Sequence, residues 1–293
     1  MSQHAGRPVL ASRDMEPGEQ TAHSPGSPDA PRQHSNLSSV ASAARLLKAF
    51  AGDRREMGVT EAARTLGLGK STAHRLLSTL TQEGLLERDS RSGVYRLGLS
   101  MYVLGRSVST YSVLHEVCVP VMDQLRAATK GTVQVSVLDG RDAVYVERRE
   151  TAATLRLFGR VGHRLAANCT GSGKVLLAYL PPAQLDALMD GWELPRRTAN
   201  SIVDPTELLA ELERIRKRGW AENLDEAEMG VASVASPIRD ESGTVVAAIS
   251  LVVPSRDLSA DALRRYSRPC VDAAAAISRR LGYRPPTQEK DTP

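Results

Sequence analysis

Two helical stripes lie almost end to end in TEAARTLGLGKSTAHRLLSTL, residues 60–80, with only a three- or four-residue turn between them. Ala62, Ala63 and Leu66 share one face of the first. Ala73, Leu76, Leu77 and Leu80 follow the i, i+3, i+4, i+7 spacing of a buried face in the second. Thr60 is a fair N-cap and Gly67 suits a helix exit. Two short helices joined by so tight a glycine-containing turn make a helix-turn-helix. Burying the second stripe turns Ser71, Thr72, Arg75 and Ser78/Thr79 outward and leaves His74 at the edge. The N-terminal half of such a helix reaches base edges in the major groove. Lys70 and Ser71, at its start, are placed for phosphate or base contacts, and Arg75 for bidentate contact to a guanine.

The flanking sequence agrees. Val40, Ala44, Leu47 and Phe50/Ala51 predict a preceding helix ended by Gly52. LLER-DSRSG-VYRL predicts a hairpin, with Arg88, Arg91 and Arg96 on or beside it, as a wing gripping backbone phosphates needs. Residues 37–98 hold ten Lys/Arg against six Asp/Glu, an excess equal to the net charge of +4 of the whole chain. The basic segment and the helix-turn-helix therefore coincide, as attraction to polyphosphate requires. The glycines are not a nucleotide loop. A phosphate loop ending in Gly69-Lys70-Ser71 needs a glycine at position 64, which is Arg64. Gly171-Ser172-Gly173-Lys174 fails likewise, with Asn168 in the glycine position and Val175 where magnesium needs a hydroxyl.

With 293 residues the chain has room for two compact domains. Residues 1–36, rich in proline and poor in large apolar side chains, read as a disordered tail, and 284–293 as a second one. Residues 37–98 read as a winged helix-turn-helix and 99–115 as a linker helix, the helical pattern running on to about Thr129 with a break at Pro120. Residues 116–283 read as an α+β domain of helices on a mostly antiparallel sheet. TVQVSVLDG and AVYVERRE predict a strand pair turning at Asp139-Gly140, and TLRLF another strand. A further strand begins at Trp220. Asp204, Pro205 and Glu207 form a strong helix start, Glu241-Ser242-Gly243 a hairpin turn, and a last helix bends at Pro269. No apolar run approaches the ~20 residues of a membrane span. The first residues lack a secretory h-region, and three scattered cysteines fit a reducing cytoplasm.

The collinear stretches SVASAARLLKAF, TEAARTLGLGKSTAHRLLSTLTQEGLLERD, GVYRLGLSMYVLG, VSVLDGRDAVYVERRE, LRLFGRVGHRLAANCTGSGKVLLAYLP and DPTELLAELERIRKRGWAENLDEAEMGVASVASPIRD resemble the IclR family of bacterial transcription regulators. The resemblance implies a winged helix-turn-helix joined by a helix to a GAF-like/profilin-like effector domain. It further implies a dimer or tetramer on a pseudo-palindromic double-stranded operator, repression by family frequency, and small organic acids or aromatic metabolites as effectors. By position it carries the effector pocket onto Leu165, Gly171, Ser172, Asn223, Ser233, Ser250 and Val252. Backbone N–H groups at Thr170-Gly171-Ser172-Gly173, leading into a helix, can hold a carboxylate. The chain departs from glyoxylate- and pyruvate-responsive members: Asn223 stands at an acidic position, Ser233 at a cysteine and Val252 at a serine. Gly69 stands where the family often has proline.

The reading calls for no cofactor, metal or catalytic residue. Its rival is a thiol or serine hydrolase built on His163, Cys169, Ser172 and Lys174, with an incidental basic face. Against it, nothing in the spacing brings Cys169 and His163 together, and the two cannot fill a tetrahedral zinc site. A third reading, an interaction module, is separated from the first by binding to DNA.

Overall fold

The structure is a computed structural model that describes residues 38–50, 55–150, 160–257 and 260–285. Both terminal tails, the expected helix stop at Gly52 and the TLRLF strand lie outside the described residues, except for residues 284–285.

The N-terminal part comprises α1 (Ser38–Ala49), α2 (Val59–Leu66), α3 (Lys70–Gln82) and a hairpin of β1 (Leu86–Arg88) and β2 (Tyr95–Leu97). Its own core gathers Leu46, Phe50, Met57, Ala62, Ala63, Ala73, Leu77, Leu80, Leu86 and Tyr95. Gly67 takes the left-handed conformation (φ 66°) in which only glycine is unstrained, so the chain turns within three residues. Gly69 has φ −64°, the value proline would impose, and α3 begins regularly after it.

Two local expectations are corrected. Val40 and Ala44 are exposed; α1 instead buries Ser42 and Leu46, with Ala43, Leu47 and Phe50 packed alongside. The larger side chains Leu46 and Phe50 set the rotation of the helix, and Ser42 is tolerated because its hydroxyl accepts from Arg45 at 3.2 Å. Gly58, not Thr60, is the N-cap of α2. Met57 is pinned to Tyr95 by two backbone bonds of 2.9 Å, so the helix starts as soon as that bridge ends.

The expected linker helix over 99–115 is two pieces: α4 (Leu99–Arg106) stops, and α5 runs from Ser109 to Thr129. Gly105 weakens the end of α4, and the Ser107 hydroxyl donates to the Val103 carbonyl, competing with helix continuation. Pro120 does not break α5. Pro120 and Glu116, whose carbonyl loses its N–H partner, are both exposed, so the orphan carbonyl stays hydrated.

The larger part is a six-stranded, fully antiparallel sheet in the order β5-β4-β3-β8-β7-β6. Its strands are β3 (Thr132–Asp139), β4 (Asp142–Arg149), β5 (Arg164–Ala166), β6 (Ala221–Leu224), β7 (Val231–Arg239) and β8 (Val245–Pro254). Alternation divides the faces. Val133, Val135 and Val137 of β3, with Ala247, Ile249, Leu251 and Val253 of β8, pack on α5 and α9 (Ala260–Arg280). Ala235 and Ala248 pack the opposite face against α6 (Gly171–Ala178) and α8 (Pro205–Arg218), with α7 (Pro182–Met189) beyond. Asp204 caps α8 as expected, accepting from the Glu207 N–H at 2.9 Å. Pro269 lies inside an uninterrupted α9.

Candidate functional site

The outward face of α3 is open. Lys70, Ser71, Thr72, His74 and Arg75 are all exposed, while Ala73, Leu77 and Leu80 are buried beneath them. Neither Lys70 nor Arg75 is in an ion pair among the described residues. The three wing arginines differ. Arg88 lies 5.7 Å from the Tyr95 ring centroid, and Arg96 pairs with Glu87 at 3.3 Å across the hairpin. Arg91 sits at the exposed tip, where the Asp89 carboxylate accepts the N–H groups of Ser92 and Arg91 and the Ser92 hydroxyl. Those bonds, chiefly the backbone N–H of Ser92, hold the Asp89 carboxyl below its ordinary value. The tip carboxylate is thus spent on the turn and leaves the Arg91 guanidinium free to meet a phosphate.

On the α6 side of the sheet a cavity of about 60 Å³ is lined by Gln134, Tyr145, Leu165, Ser172, Asn223, Ser233, Ser250 and Val252, with His163, Thr170, Arg197, Ala227, Glu228 and Val231 completing its wall. Six of the seven positions expected from the sequence meet here. Gly171 is the exception: it lies behind the wall, where an added Cβ would sit 3.1 Å from the Ser233 hydroxyl. The Thr170 side chain caps α6 by accepting the Gly173 N–H at 2.9 Å. The N–H groups of Gly171 and Ser172, first in the helix, have no partner among the described residues.

Asn223 is more constrained than its sequence position suggests. Its amide donates to the Cys169 carbonyl at 2.9 Å and accepts from the Glu226 N–H at 3.0 Å. It clamps the loop after β6 to the turn before α6 and offers the cavity only what those bonds leave over. Beneath the loop, Lys174 (1% exposed) bonds both Glu226 oxygens, at 2.6 and 2.7 Å. Burial still raises the Glu226 carboxyl above its ordinary value, outweighing the pull of Lys174. Tyr145, bonded to Ser172, is pushed up to about 12 by burial, so it serves as a neutral hydroxyl. His163 stacks on its ring, centroids 6.4 Å apart.

The sequence reading missed Gln134 and Tyr145, and named His163 only for the rival hydrolase. A signal existed: Thr132, Gln134 and Ser136 alternate with valines as on a half-solvated strand, yet all three are buried. Polar residues on a covered face need polar partners or a polar ligand.

The same geometry weakens the hydrolase reading. Cys169 is 1% exposed, its thiol donates to the Pro195 carbonyl at 3.2 Å, and burial raises its pKa, the opposite of an activated nucleophile. Lys174 is held by Glu226. Among the described residues no three His, Cys, Asp or Glu side chains gather as metal ligands, and no helix is long and apolar enough to cross a membrane.

A winged helix-turn-helix followed by a sheet domain with a small polar cavity defines a DNA-binding regulator that senses a ligand. Residues 39–90 match the IclR helix-turn-helix domain, and residues 107–279 match the bacterial transcriptional regulator IclR C-terminal domain. The regulator XynR of Escherichia coli is 32% identical over 247 residues, covering 84% of this chain and 98% of that one. The repressor AllR of Salmonella typhi is 32% identical over 228 residues, covering 78% and 84%. An IclR homolog from Microbacterium hydrocarbonoxydans, solved with 4-hydroxybenzoate, superposes with a TM-score of 0.74 at 28% identity over 83% of this chain and 98% of that one. The chain belongs to the IclR family and is a ligand-responsive, DNA-binding transcription regulator.

Proposed function

We propose that the protein is a cytoplasmic repressor that acts as a homodimer or homotetramer on a pseudo-palindromic operator and releases it on binding a small organic acid. In this reading residues 37–98 grip DNA, the two helices after Gly98 connect, and the sheet domain senses. Lys70, Ser71, Thr72, His74 and Arg75 face the major groove, with Arg88, Arg91 and Arg96 on flanking phosphates. The observation that carries the reading is the pairing of an open basic helix face with a polar-lined cavity that holds the unpartnered amide nitrogen of Gln134. The free N–H of Ser172, in the cavity wall at the start of α6, suits a carboxylate. The cavity, at about 60 Å³, has room for roughly four water positions. That favours an aliphatic acid of a few heavy atoms over an aromatic one such as the 4-hydroxybenzoate of the Microbacterium structure. Self-association is supported by α4, where Leu99, Tyr102, Val103 and Leu104 are 69, 66, 56 and 56% exposed. Repression is supported by the named function of AllR.

The test is a mobility shift of the protein on its own promoter region, repeated against short aliphatic acids and 4-hydroxybenzoate. Release by none of them overturns the effector reading. Arg75→Ala should lose discrimination between operator and scrambled duplex, about 1–3 kcal/mol per contacted base pair. Arg91→Ala should instead weaken all duplexes alike and flatten the salt dependence. Fluorescence anisotropy at several salt concentrations separates the two. Retained discrimination removes Arg75 from the interface.

A further inference from the structure

The cavity holds buried polar groups that have no partner among the described residues. Gln134 is 2% exposed, and its carboxamide nitrogen is fully buried with no hydrogen-bond partner among the described residues. Ser250, its cross-strand neighbour on β8, is 2% exposed, and Ser233 on β7 is 7% exposed. Neither hydroxyl bonds to another described residue. A buried unpaired amide is costly, and native folds keep one where something else completes it. The groups around it settle what that is. The two buried cations nearby are already matched, Lys174 by Glu226 and Arg148, opposite Gln134 on β4, by Glu150 at 2.5 Å. A charged group lodged against Gln134 would be buried without a counter-ion of its own. An uncharged oxygen meets no such penalty, and an amide N–H flanked by serine hydroxyls suits it.

We propose that Gln134 is a specificity-determining residue of the cavity, reading an uncharged hydroxyl or carbonyl oxygen on the effector. The effector is then a hydroxy- or oxo-acid: its carboxylate sits at the start of α6 and its neutral oxygen at the Gln134–Ser250 pair. This rests on the cavity being the effector site. It adds which end of the ligand is buried and what the buried end must carry.

The test uses the full chain and matched acids: glycolate, lactate and 3-hydroxybutyrate against acetate, propionate and butyrate, by calorimetry. The wild type should prefer the hydroxy-acids by about tenfold or more, because a plain acid leaves the buried amide unpaired. Gln134→Leu should erase the preference. Hydroxy-acid binding falls about tenfold, plain-acid binding stays within about twofold, and the free variant melts at a higher temperature than the wild type. Gln134→Met, equal in reach, repeats the measurement. Equal wild-type binding of both sets, or a preference that survives Gln134→Leu, overturns the assignment and leaves the cavity an acid site. Unfolding of both variants overturns it too, because the amide would then be making bonds that the fold needs. Binding of none of the six acids overturns the effector reading and this inference together.

Discussion

Replacing Lys174 with methionine is expected to destabilise the sheet domain by about 3–5 kcal/mol at neutral pH. The side chain is almost fully buried and makes two short bonds to Glu226, itself 8% exposed. Removing the cation strands a carboxylate in a site whose burial already raises its pKa. The sign of the pH dependence follows. A carboxyl with a raised folded-state value keeps its proton in the folded chain at pH values where the unfolded chain has lost it. Stability therefore falls as pH rises from the ordinary carboxylate range through the folded value, and recovers as pH is lowered. In Lys174→Met the folded value rises further, so the deficit should be largest near pH 7.5 and shrink toward pH 4.5. Urea denaturation at the two pH values measures this. The double variant Lys174→Met with Glu226→Leu should recover most of the loss, since an apolar pair of similar volume carries no desolvation cost. A Lys174→Met chain as stable as wild type at pH 7.5 would show that water reaches the pair. The effect extends to ligand binding. Glu226 anchors the loop that places Ala227 and Glu228 in the cavity wall; the Thr198 hydroxyl lies 2.6 Å from the Asp225 carbonyl and 3.2 Å from that of Glu226, to which Ser201 also donates at 2.7 Å.

The helix-turn-helix was legible because its information is local. A glycine turn, one apolar stripe and the solvated groups left over fix each other within about twenty residues, so Lys70 to Arg75 could be placed outward from spacing alone. Helix α1 shows where that fails. Its weak apolar residues fit two stripes, and contact with the rest of the core, not periodicity, chose Leu46 over Val40. The cavity was legible only by resemblance. Its lining comes from all six strands of the sheet, the start of α6 and three loops, and no local pattern relates Gln134 to Ser250 until β3 pairs with β8. The bulge between β3 and β4, where Val135 faces Glu147 and Ser136 faces Tyr145, was also out of reach. It turns both Tyr145 and Arg148 inward where strict alternation would bury only one of them. The stop at Ser107, where a side-chain hydroxyl bonds the backbone, left no periodic signal, whereas Pro120, which was expected to break its helix, had solvent to absorb the damage.

Gly173→Ala should disable sensing while sparing DNA binding. A Cβ at Gly173 would lie 2.4 Å from both the Cα and the carbonyl oxygen of Ala167, and 2.6 Å from the Thr170 hydroxyl. Two of those atoms are backbone, and that backbone cannot yield. Asn168 bonds the Pro195 and Ile202 carbonyls at 3.0 and 2.9 Å, and the Cys169 carbonyl is held by Asn223. The start of α6 must move instead, taking Thr170 and Ser172 out of the cavity wall, at a cost of about 3 kcal/mol or more. The winged domain has its own core, which shares no residue with the two clusters that pack the sheet. Operator affinity of the variant should therefore stay within a few-fold of wild type, while release by the acid is lost and the sheet domain melts earlier. Gly171→Ala is the control. Its nearest neighbour is the Ser233 hydroxyl at 3.1 Å, a group that can rotate aside, so that variant should keep the fold and lose only affinity for the acid. If Gly173→Ala kept full response to the acid, the start of α6 could not be the element that holds the ligand. The carboxylate would then have to be sought at the mouth of the cavity, where Arg197 lies exposed.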